Sequence, residues 1–469
     1  MYKRQLISQK LALPDATALR QMIDAGKISA LEVVKEYAER MTIFHAQLNG
    51  AVKIFKEKAL EEAANPLPGP LSGIPISVKE TFGMAGEIVT SGSKRGVHTL
   101  CTEDATIVAR LKAAGAIILA RSNTPEFAMF PETDNLIVGR TNNPLNLDCT
   151  TGGSSGGEGA LVGSGCTVLG VGSDIGGSIR YPAAFCGIVG FKPASEAVDK
   201  WGTFPVVNHF ADSLLACGTL TRSVRDAKLV YNIIAKTPIP VSTAKEMKDL
   251  RLFYPQVYRQ KLKDPEVSGA VGMAQALLLE AGMQKTHSDF AEASQLYLDF
   301  NTLIVDAFES PMHESLMGGL KGGKISMIQE SFNQIMGKPT IHSWLYQMLV
   351  ASPLFRPSQA KLKAIIARTE EARTKYYKLL GEEGILVLPT VGLLAPKHGG
   401  LVAELRKPGV IEPIKPTVFC NMLNLPAITL PAWKHRSPTS GLVPGVMLAC
   451  RPGSEGVLFQ VAEWLENKI

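Results

Sequence analysis

Two serine clusters crowded by glycine dominate residues 152–193. The first reads Gly152-Gly153-Ser154-Ser155-Gly156-Gly157-Glu158, the second Ser173-Asp174-Ile175-Gly176-Gly177-Ser178-Ile179-Arg180. Ser154 and Ser178 lie 24 residues apart. Glycine lets a backbone take positive φ and approach another group closely, at an entropic cost. So many glycines around hydroxyls suit a fold that aims main-chain N–H groups at a developing negative charge. Apolar residues interrupt the stretch regularly, so it reads as a catalytic centre rather than a linker.

The flanking sequence alternates helical and strand patterns. Asp15 caps a first helix that stops near Gly26. Ser29-x-x-Glu32 is a capping box ahead of the apolar stripe Val33, Val34, Tyr37 and Met41. Ala51–Phe55 and Ile74–Val78 read as short strands. Asp104 caps a helix closed by Gly115, and a buried strand follows over Ala116–Ala120. This alternation signals an α/β protein with a largely parallel sheet. After residue 235 the texture changes: a strand at Leu250–Tyr254, a helix from Asp264-Pro265 to about Gly282, then mostly helical pattern over 290–380, interrupted at 318–323. Strands return at Ile385–Leu388, Ala427–Leu430 and Val446–Ala449, before a closing helix at 455–467. The organisation expected is one α/β unit over 1–469 with a helical insertion at about 240–380; two domains meeting near 240 is the rival.

The chain has 469 residues, 45% hydrophobic and 20% charged, enough to bury a substantial core. A net charge of +6 over this length is mild, and no dense basic block argues for nucleic acid. Seven scattered cysteines without a CxxC favour reduced thiols in a cytosol-like compartment. No apolar h-region follows the charged residues 1–10, and no apolar run reaches the roughly 18 residues of a spanning helix. A cytoplasmic protein, at most peripherally attached to a membrane, is expected. The eight histidines form no HExxH or ligand cluster, so neither a metal nor a cofactor is expected.

Familiar glycine-rich explanations fail. Gly170-Val-Gly172-Ser-Asp-Ile lacks the third glycine of a dinucleotide fingerprint, and no glycine loop continues into Lys-Ser/Thr. Gly152-Gly153-Ser154-Ser155-Gly156 satisfies the G-x-S-x-G elbow of α/β-hydrolases. That mechanism needs a later histidine in a recognisable setting, and none stands out.

Together with the upstream Gly73-Ile74-Pro75-Ile76-Ser77-Val78-Lys79-Glu80, the two serine clusters closely resemble the amidase signature family. Three separated motifs occur in the family's order, and similar texture includes Asn123-Thr124-Pro125-Glu126 and Leu388-Pro389-Thr390. Gly-Gly-Ser-Ser-Gly-Gly-Glu-Gly, Ser-Asp-Ile-Gly-Gly-Ser-Ile-Arg and Ala-Phe-Cys-Gly-Ile look most like its fatty acid amide hydrolase branch. The resemblance implies the amidase signature fold, a central mixed and mostly parallel sheet covered by helices on both faces. It also implies a Ser–Ser–Lys triad. Ser178 is the nucleophile that forms an acyl-enzyme, Ser154, usually preceded by a cis peptide bond, relays protons, and Lys79 is the base. A lysine base must be neutral, and burial lowers a lysine pKa; the strand at 74–78 carries Lys79 inward. The N–H groups of Ile175, Gly176, Gly177 and Ser178 form the implied oxyanion hole. Ser155 supports the site by hydrogen bonding, and the backbone around Ala128 contacts substrate. Asp174 and Arg180 brace the loop; Cys166 and Cys186 pack in the core.

Each residue also has a plainer reading. A strand-end lysine is usually exposed, and Ser154 or Ser155 can cap a helix over 156–164. Many relatives read Gly-x-Gln where this chain has Gly445-Val446-Met447, so Met447 lines an acyl pocket or simply packs. The partner expected is a small-molecule acyl amide, with the Met- and Leu-rich residues 296–355 walling an acyl channel. A basic amphipathic pattern over 358–380 permits peripheral membrane contact; homodimerisation is left open. The rival functions are the glutamine amidase component of a tRNA amidotransferase and a non-catalytic lipid-binding or scaffold protein on the same fold.

Overall fold

The computed structural model describes residues 13–95, 99–207, 209–239, 245–255, 262, 264–287, 290, 292–317, 326–405 and 414–469. Local signals set many of its elements. Asp15 Oδ1 accepts from Ala18 N at 2.9 Å to open the helix Ala16–Asp24. The capping box is complete at helix Ala30–Leu48: Ser29 accepts from Glu32 N while Glu32 takes the Ser29 N–H. Asp104 does not cap as expected. It accepts instead from Ala85 N and from Lys112 Nζ, and the helix Thr106–Ala113 starts without a side-chain cap.

In chain order the strands are β1 (Ala51–Ile54), β2 (Pro75–Lys79), β3 (Ile88–Val89), β4 (Thr99–Leu100) and β5 (Ile117–Ser122). They continue as β6 (Leu169–Asp174), β7 (Val189–Lys192), β8 (Ala216–Thr221), β9 (Arg251–Phe253) and β10 (Gln284–Thr286). The last are β11 (Gly384–Pro389), β12 (Ala427–Pro431) and β13 (Gly445–Ala449). Eleven form one sheet in the order β1-β5-β2-β6-β8-β7-β12-β13-β11-β9-β10.

The α/β class and the mixed sheet agree with expectation, but the parallel emphasis does not. Parallel pairing is confined to β5–β2–β6 and β11–β9–β10; every other described pair in the sheet is antiparallel. The reason lies in the connections. β8 inserts between β6 and β7, and β12 pairs directly with β13, so return strands replace crossover units there. Gly170 and Gly172 in β6 obscure this, because few side chains report that strand's period.

Both faces of the sheet are covered. Along β11, Ile385 and Val387 join one core while Leu386 and Leu388 join the other; Val446 and Leu448 alternate likewise with Met447 and Ala449 on β13. The first core includes Val271 and Leu278 of helix Pro265–Glu280 and Leu458 and Val461 of helix Glu455–Glu466. The second includes Tyr376 of helix Gln359–Leu380 and Phe419 of helix Lys415–Met422. Within 240–380, β9 and β10 extend the main sheet, and helices Ala293–Met317, Met327–Ile335, Ser343–Phe355 and Gln359–Leu380 follow. The glycine interruption at 318–323 lies outside the described residues.

Candidate active site

β2 and β6 are parallel neighbours, with Val78 opposite Val171, so Lys79 and the Ser173-Asp174 pair emerge at the same end of the sheet. Clefts outside the carboxyl ends of parallel strands are where α/β sheets bind ligands. Lys79 is fully buried, not the solvated strand end of the plainer reading. Its Nζ donates to Ser154 Oγ at 2.7 Å and to Ser173 Oγ at 3.1 Å. Burial pushes the Lys79 ammonium down to about 7, against the pull of the Asp174 carboxylate towards the charged form. Ser154 follows a cis Gly153–Ser154 peptide bond. A Cβ on Gly153 would come within 2.5 Å of Phe130 O, so only glycine fits there.

Neither serine caps the helix Gly156–Gly163: Ser155 occupies the cap position and makes no side-chain cap bond. Ser155 Oγ donates instead to Ser173 O at 3.3 Å, and Ser155 N donates to Ser178 O at 3.1 Å. Ser155 thus ties the first cluster to the second through both its main chain and its side chain.

Ser178 is half-buried and lines one small pocket with Ser154, Ser173, Phe127, Ala128 and Ile175. No direct hydrogen bond joins the two serine hydroxyls. The loop before Ser178 wraps a buried anion. Asp174 Oδ1 accepts from Gly177 N at 2.8 Å and Oδ2 from Ile179 N at 3.0 Å. Arg180 completes the brace, Nη2 to Oδ1 at 2.8 Å and Nε to Oδ2 at 3.0 Å. Burial alone would raise the Asp174 carboxyl, but the Arg180 guanidinium outweighs it and holds it well below the usual range. This geometry bears on the expected oxyanion donors. The Gly177 N–H is already committed to Asp174, whereas among the described residues nothing accepts from the N–H of Ile175, Gly176 or Ser178. Gly177 keeps a structural demand: its φ is 132°, and a Cβ there would lie 2.4 Å from the Tyr181 ring.

A buried amine with its pKa lowered to about 7, two hydroxyls lining one pocket and N–H groups without an acceptor among the described residues stand together here. The family model for Amidase matches residues 32–459. The chain belongs to the amidase signature family. It is 32% identical over 424 residues to fatty-acid amide hydrolase 2-B of Danio rerio, covering 84% of this chain and 79% of that one. It is 29% identical over 488 residues to a glutamyl-tRNA(Gln) amidotransferase subunit of Fusobacterium nucleatum, covering 97% and 96%. Among solved structures, 6-aminohexanoate cyclic dimer hydrolase complexed with substrate superposes with a TM-score of 0.82 at 25% identity, over 98% of this chain and 97% of that one.

Within this amidase fold some contributors were not anticipated. Ser173 stands inside the quoted motif yet was given no role; its place on the strand beside β2 was the available signal. Thr417 and Asn421, on helix Lys415–Met422, had no local signal at all. Thr417 O accepts from Arg180 Nη1 at 3.1 Å, and Asn421 Nδ2 donates to Asp174 Oδ1 at 3.0 Å. Met447 packs: it is fully buried, and its sulfur accepts from Arg180 Nη1 at 3.4 Å. All seven cysteines are buried and free, Cys166 and Cys186 included. Glu158, beneath the site, is buried, and burial pushes its carboxyl up to about 8 against the hydrogen bond from Ser77. A cavity of about 630 Å³ adjoins the serine pocket through Thr203, Phe204, Pro205, Val207 and Leu215. Its size falls in the range of small-molecule sites.

Proposed function

We propose that this amidase cleaves carboxylic amides through an acyl-enzyme on Ser178. The observation that carries the reading is Lys79, solvent-free and poised near pH 7, in direct contact with Ser154 Oγ. Neutral Lys79 takes the Ser154 proton as Ser154 takes that of Ser178, whose oxygen attacks the amide carbon. The oxyanion rests on the unpaired N–H groups of Ile175, Gly176 and Ser178. As the C–N bond breaks, the proton returns through Ser154 to the departing amine. Water then attacks the acyl-enzyme by the same relay, releasing the acid and restoring Ser178.

For the substrate, we favour a fatty acyl amide. The relative from Danio rerio supports this, as does an apolar cluster joining pocket residues Phe127, Ile175 and Val207 to Ile304, Met327, Ile341 and Leu345. The helix Met327–Ile335 above it exposes Ile328, Phe332 and Ile335 on one stripe, which suits contact with a lipid surface. The basic helix Gln359–Leu380 suits it less: Arg368 and Lys375 are paired with Asp299 and Glu292, and Arg373 holds Met422 O. Among the described residues no helix is long and apolar enough to cross a membrane.

The test is turnover across acyl chain length, with a fluorophosphonate probe reporting on Ser178. Rising kcat/KM towards long chains supports the proposal; a preference for acetamide-like or aryl amides removes the fatty acyl part. The near full-length relatedness to the Fusobacterium nucleatum protein keeps a second reading, glutamine amidase. Ammonia release from glutamine by the purified chain, with no turnover of acyl amides, would favour it.

A further inference from the structure

Phe127 and Ala128, consecutive and both lining the serine pocket, hold left-handed φ values of 53° and 56°. Non-glycine residues adopt that region rarely and at a cost, and keep it only when their surroundings impose it. Two fastenings impose it here. Phe127 N donates to Ser91 O at 2.6 Å. Glu126, which opens the turn, is 2% exposed, and both its oxygens are taken: Oε1 accepts from Ser93 Oγ at 2.5 Å and Oε2 from His342 N at 2.7 Å. His342 is the cap residue of helix Ser343–Phe355, which no side chain of its own caps. A carboxyl there meets an open N–H at the favourable end of the helix dipole. Ile341 and Leu345 from this helix start pack with Phe127.

We propose that Glu126 is a positioning residue for amide hydrolysis: its buried carboxyl fastens the substrate-facing turn Glu126–Ala128 to the start of helix Ser343–Phe355 and so sets the pocket wall beside Ser154 and Ser178. This rests on the amidase reading, under which Phe127 and Ala128 touch substrate. Burial pushes the Glu126 carboxyl up to about 7 against its two hydrogen bonds, with His342 and Glu330 as the titratable neighbours. A neutral isostere therefore preserves the tie: in Glu126→Gln the amide oxygen accepts from His342 N while the amide nitrogen donates to Ser93 Oγ. Glu126→Ala cuts it. His342→Pro cuts it from the other side, since proline has no N–H and the φ of −58° at His342 suits its ring. His342→Ala keeps the N–H and serves as the control.

The experiment compares kcat and KM of the four variants on the best amide of the wild type, with melting temperature and fluorophosphonate labelling of Ser178 alongside. Misplacing a pocket wall by about 1 Å costs on the order of 10²-fold, so Glu126→Ala and His342→Pro should raise KM by about 10- to 100-fold with a smaller change in kcat. Glu126→Gln and His342→Ala should stay close to wild type. Folded Ala and Pro variants with wild-type KM would overturn the proposal, and so would a Gln variant as impaired as the Ala one. If Glu126→Ala does not fold, the Gln and Pro variants decide. Failure of the amidase reading itself appears earlier, as a wild-type protein that neither labels nor turns over, and it takes this inference with it.

Discussion

Lys79 Nζ lies 2.7 Å from Ser154 Oγ, and both groups are sealed from solvent, at 0% and 2% exposure. Inside a protein an ammonium costs far more than in water, and the anion that most favours its charged form, Asp174, is already engaged by Arg180. Burial therefore holds the amine's pKa near 7, the property that the proposed base role requires. The proposed proton relay depends on this one displacement.

Amide turnover should rise with pH through about 7, the value to which burial brings Lys79. The direction follows from the role: below that pH the amine is protonated and accepts nothing. Lys79→Ala should erase this limb of the kcat/KM profile and lower the rate by about 10²–10⁴-fold, the usual range for a general base. Stopped assays at fixed acyl chain length from pH 5 to 9 would read both effects.

The same burial predicts a stability penalty at Lys79. Its folded pKa, about 7, lies below the unfolded 10.5. Between those values the unfolded chain binds the extra proton, so the stability attributable to this group rises with pH across the window. Lys79→Met, similar in volume and apolar, should melt higher than wild type at pH 7 while losing activity. The gain should shrink as the pH approaches 10. Calorimetry at both pH values checks it; a lower melting temperature for the Met variant would contradict the penalty.

The three hydroxyls should separate by probe. Ser178→Ala should abolish fluorophosphonate labelling. Ser154→Ala should keep slow labelling but lose about 10²–10³-fold in turnover, since it removes proton transfer and leaves the nucleophile. Ser173→Ala removes only the second Nζ contact, and a hydrogen bond worth about 1 kcal/mol corresponds to a loss of roughly fivefold. Equal losses in all three would argue against distinct roles.

How far the sequence was readable varies with the range of the signal. The capping box at Ser29 and Glu32 and the periodic strands at 74–78 and 446–449 were visible because each depends on near neighbours. The position of Lys79 was visible only through the triple motif, since a lone strand-end lysine is ordinarily solvated. Sheet direction was misjudged where β6, β7 and β8 interleave, because pairing order is a long-range property that glycine-rich strands do not encode in side-chain period. Thr417 and Asn421 reach Asp174 and Arg180 from more than two hundred residues away, and no local pattern marks them. Asp104 was read as a cap, yet its carboxyl is taken by Lys112 Nζ.

The Asp174–Arg180 pair offers the last test, because it joins stability to catalysis. Both side chains are fully buried, and Asp174 receives the N–H groups of Gly177 and Ile179 on either side of Ser178 as well as the guanidinium. Removing one member of a buried pair leaves an uncompensated charge and costs about 3–5 kcal/mol. Arg180→Lys is not a gentle substitution here: a lysine cannot reproduce the two-point contact with the carboxylate or reach Thr417 O and Asn421 Oδ1 at once. It should lower the denaturant midpoint clearly and also slow labelling of Ser178, because the loop that carries Ser178 is organised around Asp174. Asp174→Asn keeps the shape but loses the charge, and should leave a buried, unpaired Arg180 with a similar or larger stability loss. If either variant unfolds at wild-type denaturant concentration and labels at the wild-type rate, the brace does not carry the oxyanion loop.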